Sequence, residues 1–271
     1  MIEVLEKIVG TPVGLEMLKG KPGRRRTLRA RGPGASAIVK IYDSERASVV
    51  AGRVTALAAG PPAPVVPTVL HLDPGLHLVV LSEVPGSPLR EALLGDDLPT
   101  CSRVGVALGA WHVAWSGLAP VPLRPHTFDR ELRILRVRAA SASPAVARVV
   151  AAALPRLIGS WTCDTVVHRD LYEEQILVGE RIGLIDLDDA ALGPPELDLG
   201  NLIAHAELLA TRQAHDLERG TRALIEGYAG TGPALDRELL DRCRRLTLLR
   251  LACLNDDLGL AEWALREDAF A

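Results

Sequence analysis

Four side chains in one stretch of the chain could do chemistry together: His168, Asp170, Gln175 and Asp186. Val166 and Val167 form a short apolar run, and residues 176–178 and 182–185 form two more. Gly179-Glu180-Arg181 lies between the last two and has turn chemistry. Paired as an antiparallel hairpin, these runs put Gln175 roughly opposite Asp186 at the open end, where the loop from His168 to Glu174 also arrives. A carboxylate on a loop, an amide five residues later and a second carboxylate at a strand exit can orient a hydroxyl. They can also hold magnesium, whose ligands are hard oxygens. One such loop alone reads as readily as a turn or a helix cap.

Order and spacing add to that reading. His168-Arg169-Asp170, with Gln175 five residues after the aspartate, resembles the H-R-D-x-x-x-x-N catalytic loop of protein kinases. Ile185-Asp186-Leu187-Asp188 resembles the I-D-x-D/E segment of the aminoglycoside phosphotransferase family, and residues 193–200, Gly-Pro-Pro-Glu-Leu-Asp-Leu-Gly, resemble its G-x-P-x-x-D-L-A segment. The resemblance implies an α+β, two-lobed protein-kinase-like fold: a small antiparallel-sheet N-lobe over residues 1–82 and a mainly helical C-lobe over 83–271. It implies a phosphotransferase moving the γ-phosphate of ATP or GTP to a hydroxyl of a small molecule, such as an aminoglycoside or a sugar. Asp170 would orient the hydroxyl or take its proton. Asp186 and Gln175 would hold Mg2+, with glutamine standing where the family usually has asparagine. His168 and Asp198 would be architectural, and Glu173 and Glu174 would face solvent.

Such a site needs a second lobe to hold the nucleotide. Residues 35–42 read as an apolar, β-branched strand around Lys40. The strand resembles V-A-I-K, whose lysine holds the α- and β-phosphates; the competing reading is an edge lysine that discourages aggregation. Upstream, residues 13–31 alternate loosely about Gly20-Lys21-Pro22-Gly23, which is not a G-x-G-x-x-G. Lys21, Arg24, Arg25 and Arg26 either face phosphates or form a solvated turn. Asp43 or Ser44 is expected to cap a helix running to about Ala59. The helix has no mid-helix glutamate to pair with Lys40; Glu45 is the only acid near its start. Residues 65–70 and 76–81 read as strands. Ser82-Glu83-Val84-Pro85-Gly86-Ser87-Pro88-Leu89 resembles the family's hinge, E-x-x-G-x-x-L, which implies that the backbone of Glu83 and Val84 meets adenine. Val104, Leu108, Trp111, His112 and Trp115 share a helical face, with His112 read as a core histidine. Helices are also expected over 131–138, 145–158, 199–211, 214–230 and 235–254.

Composition narrows the class. The 271 residues are 48% hydrophobic and 24% charged, as in ordinary globular proteins. A net charge of -3 leaves no electrostatic footprint for nucleic acid. No apolar run is long enough to span a bilayer, and the acidic start of the chain does not read as a signal peptide. Cys101, Cys163, Cys243 and Cys253 lack metal-type spacing, so reduced thiols in a cytoplasmic protein are expected. Glu173, Glu174, Asp188, Asp189, Glu196, Asp256, Asp257 and Glu262 would suit a polycationic acceptor if they lined one cleft. Otherwise they are ordinary surface acids. Gln175 and the missing helix glutamate fit a second reading, a non-catalytic pseudokinase that binds nucleotide or a partner. The choice of ATP or GTP and the oligomeric state stay open.

Overall fold

The computed structural model describes residues 1–21, 23–118 and 122–266. Helix α1 (Ile2–Val9) precedes a five-stranded sheet made of β1 (Gly14–Lys21), β2 (Arg25–Arg31), β3 (Ser36–Tyr42), β4 (Val69–Asp73) and β5 (Leu78–Ser82). The spatial order is β1-β2-β3-β5-β4 and every pairing is antiparallel. Strand alternation gives each face its own core. Ala37 and Val39 of β3 and Leu78 and Val80 of β5 pack with Leu5 and Val9 of α1. Tyr42, Val79 and Leu81 face the opposite way, toward α2 (Arg46–Ala58), which buries Val50, Val54 and Leu57. Each fully buried aliphatic side chain of this kind contributes about 1.5–3 kcal/mol.

The β2–β3 register decides what reaches the second face. Arg25 lies opposite Tyr42 and Thr27 opposite Lys40. Positions two apart on a strand share a face, so Arg25, Lys40 and Tyr42 all project to the α2 side.

The rest of the chain is mainly helical. It runs through β6 (Ser87–Pro88), α3 (Leu89–Leu94), α4 (Leu98–Trp115), α5 (Phe128–Ala139), α6 (Pro144–Ala153), β7 (Thr165–Val167), β8 (Ile176–Val178), β9 (Ile182–Leu184) and β10 (Ala191–Gly193). Helices α7 (Pro195–Gln213), α8 (Glu218–Ala229), α9 (Arg237–Asn255) and α10 (Leu258–Trp263) follow. Among the described residues, five of the α-helix starts carry the side-chain caps expected of such sequences: Asp97, Thr127, Ser143, Asp236 and Asp257 each accept a backbone N–H of the first turn. Helices α4 and α8 touch backbone to backbone. A Cβ on Gly105 would sit 1.9 Å from the Leu224 carbonyl oxygen, and one on Gly227 2.2 Å from that of Ser102.

Several sequence expectations shift. Neither Asp43 nor Ser44 caps α2; Glu45 occupies the cap position without a side-chain bond. The two hairpin strands form at 69–73 and 78–82, two to four residues later than expected. Pro67 cannot donate to a ladder, and Val65 pairs instead with Gly183 in an isolated parallel bridge. The short strand β10 was not foreseen. It pairs with β7 and sets the base of the loop beginning at His168.

Candidate active site

The hairpin β8–β9 is antiparallel as expected, with Ile176 opposite Leu184, so Gln175 falls opposite Ile185, one residue short of Asp186, and the Ile185 N–H donates to the Gln175 carbonyl at 3.0 Å. Gln175 Nε2 then reaches Asp186 Oδ2 at 3.4 Å. Asp186 itself is left-handed, with φ 62°, a conformation that aspartate tolerates better than most residues.

The loop carrying Asp170 is clamped from α7. Asp198, 1% exposed, accepts the His168 and Arg169 N–H groups at 2.7 Å each. Three residues along the same helix face, Asn201 Nδ2 donates to the Leu171 carbonyl at 2.5 Å. His168 Nε2 donates to the Ile185 carbonyl at 2.7 Å, tying the loop to the strand exit that leads into Asp186. Its Nδ1 accepts the Asp170 N–H at 3.3 Å, so the proton belongs on Nε2. His112 is a satisfied core histidine, bonded to the Tyr228 hydroxyl at 2.9 Å and to Asp198 at 3.3 Å.

Side chains from the sheet meet this apparatus. Lys40, 4% exposed, donates to Asp186 Oδ1 at 2.7 Å and to Asp188 Oδ1 at 2.6 Å. Arg25 spans Asp186 with bonds of 2.7 and 2.5 Å and also reaches Asp188. The Tyr42 hydroxyl donates to Asp188 at 2.7 Å. Burial opposes charge on Asp186, but Lys40 and Arg25 outweigh it and hold that carboxyl well below the usual carboxylate range. Helix α2 supplies arginines where a kinase-like helix would supply a glutamate. Arg46 donates to Asp189 at 2.7 Å and Arg53 to the Asp188 carbonyl. The partners of Lys40 are thus the two aspartates after β9, and Glu45 plays no part among its bonds.

Asp170 and Asp186 line one cavity of about 620 Å³. Lys40 and Gln175 join it through Asp186. Glu83 and Val84 lie outside its lining: the Glu83 carboxylate pairs with Arg29 at 2.8 Å, and the Val84 side chain is buried over Gly183. Glu174 pairs loosely with Arg90 at 3.5 Å, while Glu173 turns inward rather than to solvent. A tight turn over 173–175 packs it against α3, and burial raises its carboxyl pKa. Of the acids that could have lined one cleft, Glu173, Asp188 and Asp189 do line this cavity, the two aspartates paired with Arg25, Lys40 and Arg46. Glu196 is buried, holding the Asp236 N–H, and Asp256 and Asp257 accept backbone N–H groups at helix starts.

Among the described residues no three His, Cys, Asp or Glu side chains form a metal-binding group. The oxygens of Asp186 and the Gln175 amide nonetheless suit Mg2+, which usually takes one or two protein ligands and completes its shell with water and phosphate.

Residues 23–234 match the Phosphotransferase enzyme family. The chain belongs to that family. A homoserine kinase from Granulibacter bethesdensis (strain ATCC BAA-1260 / CGDNIH1) is 27% identical over 162 residues, 57% of this chain and 49% of that protein. The chain therefore spans about half the length of that relative. Choline kinase LicA from Streptococcus pneumoniae superposes with a TM-score of 0.65 at 12% identity, over 98% of this chain and 91% of that one. Aminoglycoside phosphotransferase APH(4)-Ia does so at 0.65 and 18%, covering 97% and 94%. At these identities the likeness is one of fold, and the α+β protein-kinase-like architecture of this family member follows from it.

Sequence reasoning missed Arg25 as an ion-pair partner, Tyr42, Arg53 and Asn201. Tyr42 was open to inference, since it lies two positions beyond Lys40 on the same strand. Asn201, three residues beyond Asp198, was likewise within reach.

Proposed function

We propose that this protein is a magnesium-dependent kinase that transfers the γ-phosphate of ATP or GTP to a hydroxyl of a small molecule, its lobes dividing after Ser82. One observation carries the reading: Lys40 of the sheet converges on Asp186 at 2.7 Å beside a cavity that Asp170 also lines. Phosphoryl transfer depends mostly on positioning and on neutralising charge. Lys40 is placed to exchange its carboxylate partners for phosphate oxygens. The backbone of Glu83 and Val84 is the proposed adenine contact. Asp170, its loop fixed through Asp198, Asn201 and His168, orients the acceptor hydroxyl and takes its proton as the oxygen attacks. Asp186 and Gln175 would hold Mg2+, which would supply positive charge to offset that of the phosphates.

The alternative, a pseudokinase, loses its main motives. Gln175 keeps its amide against Asp186, and Lys40 has carboxylate partners despite the missing helix glutamate. The test is ATP or GTP consumption with Mg2+ across a panel of hydroxyl compounds, with wild type and Asp170→Asn compared. Asp170→Asn should lower turnover about a hundredfold or more, the scale of a positioned base, with nucleotide affinity nearly unchanged. Equal rates would remove Asp170 from the chemistry.

A further inference from the structure

The cavity divides by its charges. On one side, Asp186, Asp188 and Asp189 are matched by Arg25, Lys40 and Arg46. On the other side, helices α5, α7 and α9 contribute Arg138, Arg212 and Arg250 to the same lining. Their partners there are few. Arg212 donates to the neutral amide of Asn255 at 2.6 Å. Arg250 donates to Asn201 and lies 3.8 Å from Glu131, whose other oxygen is already bonded to His126 at 2.7 Å. Among the described residues neither Arg138 nor Arg212 forms an ion pair, and both are exposed.

The acids left on this side are Asp170 and Glu173. Glu173 is buried, its turn packed against α3. His205 lies among these groups, its ring stacked on Tyr172 with centroids 4.7 Å apart. Burial and the nearby Arg250 and Arg212 push it down to about 4, against the pull of Asp170. The region beside the proposed base is therefore electropositive.

We infer that the acceptor is a hydroxyl compound bearing an anionic group, a carboxylate or a phosphate monoester, which Arg138, Arg212 and Arg250 hold while its hydroxyl faces Asp170. The inference rests on the kinase reading for the role of Asp170, but the anion subsite stands on the arginines alone. A guanidinium meets a planar carboxylate or a phosphate with two parallel hydrogen bonds, and this fixes the orientation of a small ligand as well as its affinity. A polycation such as an aminoglycoside would be repelled by the same three groups.

The test uses the full chain and matched probes: glycerate against glycerol, glucose 6-phosphate against glucose, and kanamycin and choline as cations. Binding is measured by calorimetry with and without ATP and Mg2+, and phosphate transfer is followed in parallel. At least one anionic probe should bind about tenfold or more tightly than its neutral counterpart, the scale of charge-assisted hydrogen bonds. The glycerate and glucose 6-phosphate arms separate a carboxylate from a phosphate requirement. The double substitution Arg138→Gln/Arg212→Gln, at two exposed side chains, should abolish that preference while leaving ATP affinity unchanged. No preference within either pair, a preference that survives the double substitution, or tighter binding of kanamycin or choline than of any anionic probe would overturn the inference. Anion-selective binding without transfer to any probe would uphold the subsite and count against the kinase reading. Transfer to neutral or cationic acceptors alone would do the reverse.

Discussion

Gln175 and Arg25 meet at one carboxylate with opposite expected effects. The Gln175 amide turns its nitrogen to Asp186 here and, flipped, would bring an oxygen that can join Asp186 in holding a cation, whereas Arg25 already occupies both oxygens of Asp186. Gln175→Leu keeps the bulk and removes the oxygen, so it should raise the Mg2+ concentration needed for half-maximal nucleotide binding. Arg25→Gln removes a competitor for the carboxylate and should lower it. Calorimetric nucleotide titrations over a range of Mg2+ would measure both midpoints. Shifts in the same direction would show that Arg25 serves the nucleotide rather than competing with the metal. At this scale the spacing of His168, Asp170, Gln175 and Asp186 was legible, because the motif is local in sequence. Arg25 was seen only as part of a charged run. Its partners lie 161 and 163 residues away, and only the β2–β3 register says which arginine of the run faces them.

Among the elements, α4 and α8 depend on the absence of side chains. Gly105→Ala would drive a methyl group to within 1.9 Å of the Leu224 carbonyl oxygen, so the helices must separate. Such overpacking costs about 1–3 kcal/mol, and more where backbone must move. A fall in the urea midpoint with unchanged slope would report it. An unchanged midpoint would show that the pair slides apart freely. A helical glycine reads in sequence only as a weak helix former, so this contact was invisible there. Helices α4, α7 and α9 were legible because each is a long run rich in leucine, valine or alanine. Strand β10 was not: a three-residue strand has too little pattern to announce itself, and its pairing with β7 is decided by the fold around it.

At the scale of the whole molecule, the acids that could have lined one cleft are scattered, and the cavity carries arginines beside its aspartates. Counting acids along the chain could not reveal this, since Asp256 and Asp257 accept helix-start N–H groups while Arg138, Arg212 and Arg250 converge from three separate helices. The bridge at Val65 bears on motion between the lobes. The Val65 N–H donates to the Ile182 carbonyl at 2.8 Å and the Leu184 N–H to the Val65 carbonyl at 2.8 Å, while Ser87 and Pro88 pair with β8 from the other side. The hairpin bearing Gln175 and leading to Asp186 is thus gripped on both edges by segments flanking the last two strands of the sheet. Ser87 and Pro88 belong to the helical lobe itself, so of these two attachments the Val65 bridge is the one that crosses from the sheet lobe to the hairpin. Val65→Pro deletes one of the two bonds, and the Leu184 amide should then exchange its hydrogen faster while amides in α9 keep their rates. Unaltered protection at Leu184 would show that the Val65 bridge does not hold the hairpin. Intact, that bridge is a tether: a sheet lobe that tilts must carry along, or part from, the strand that leads into Asp186.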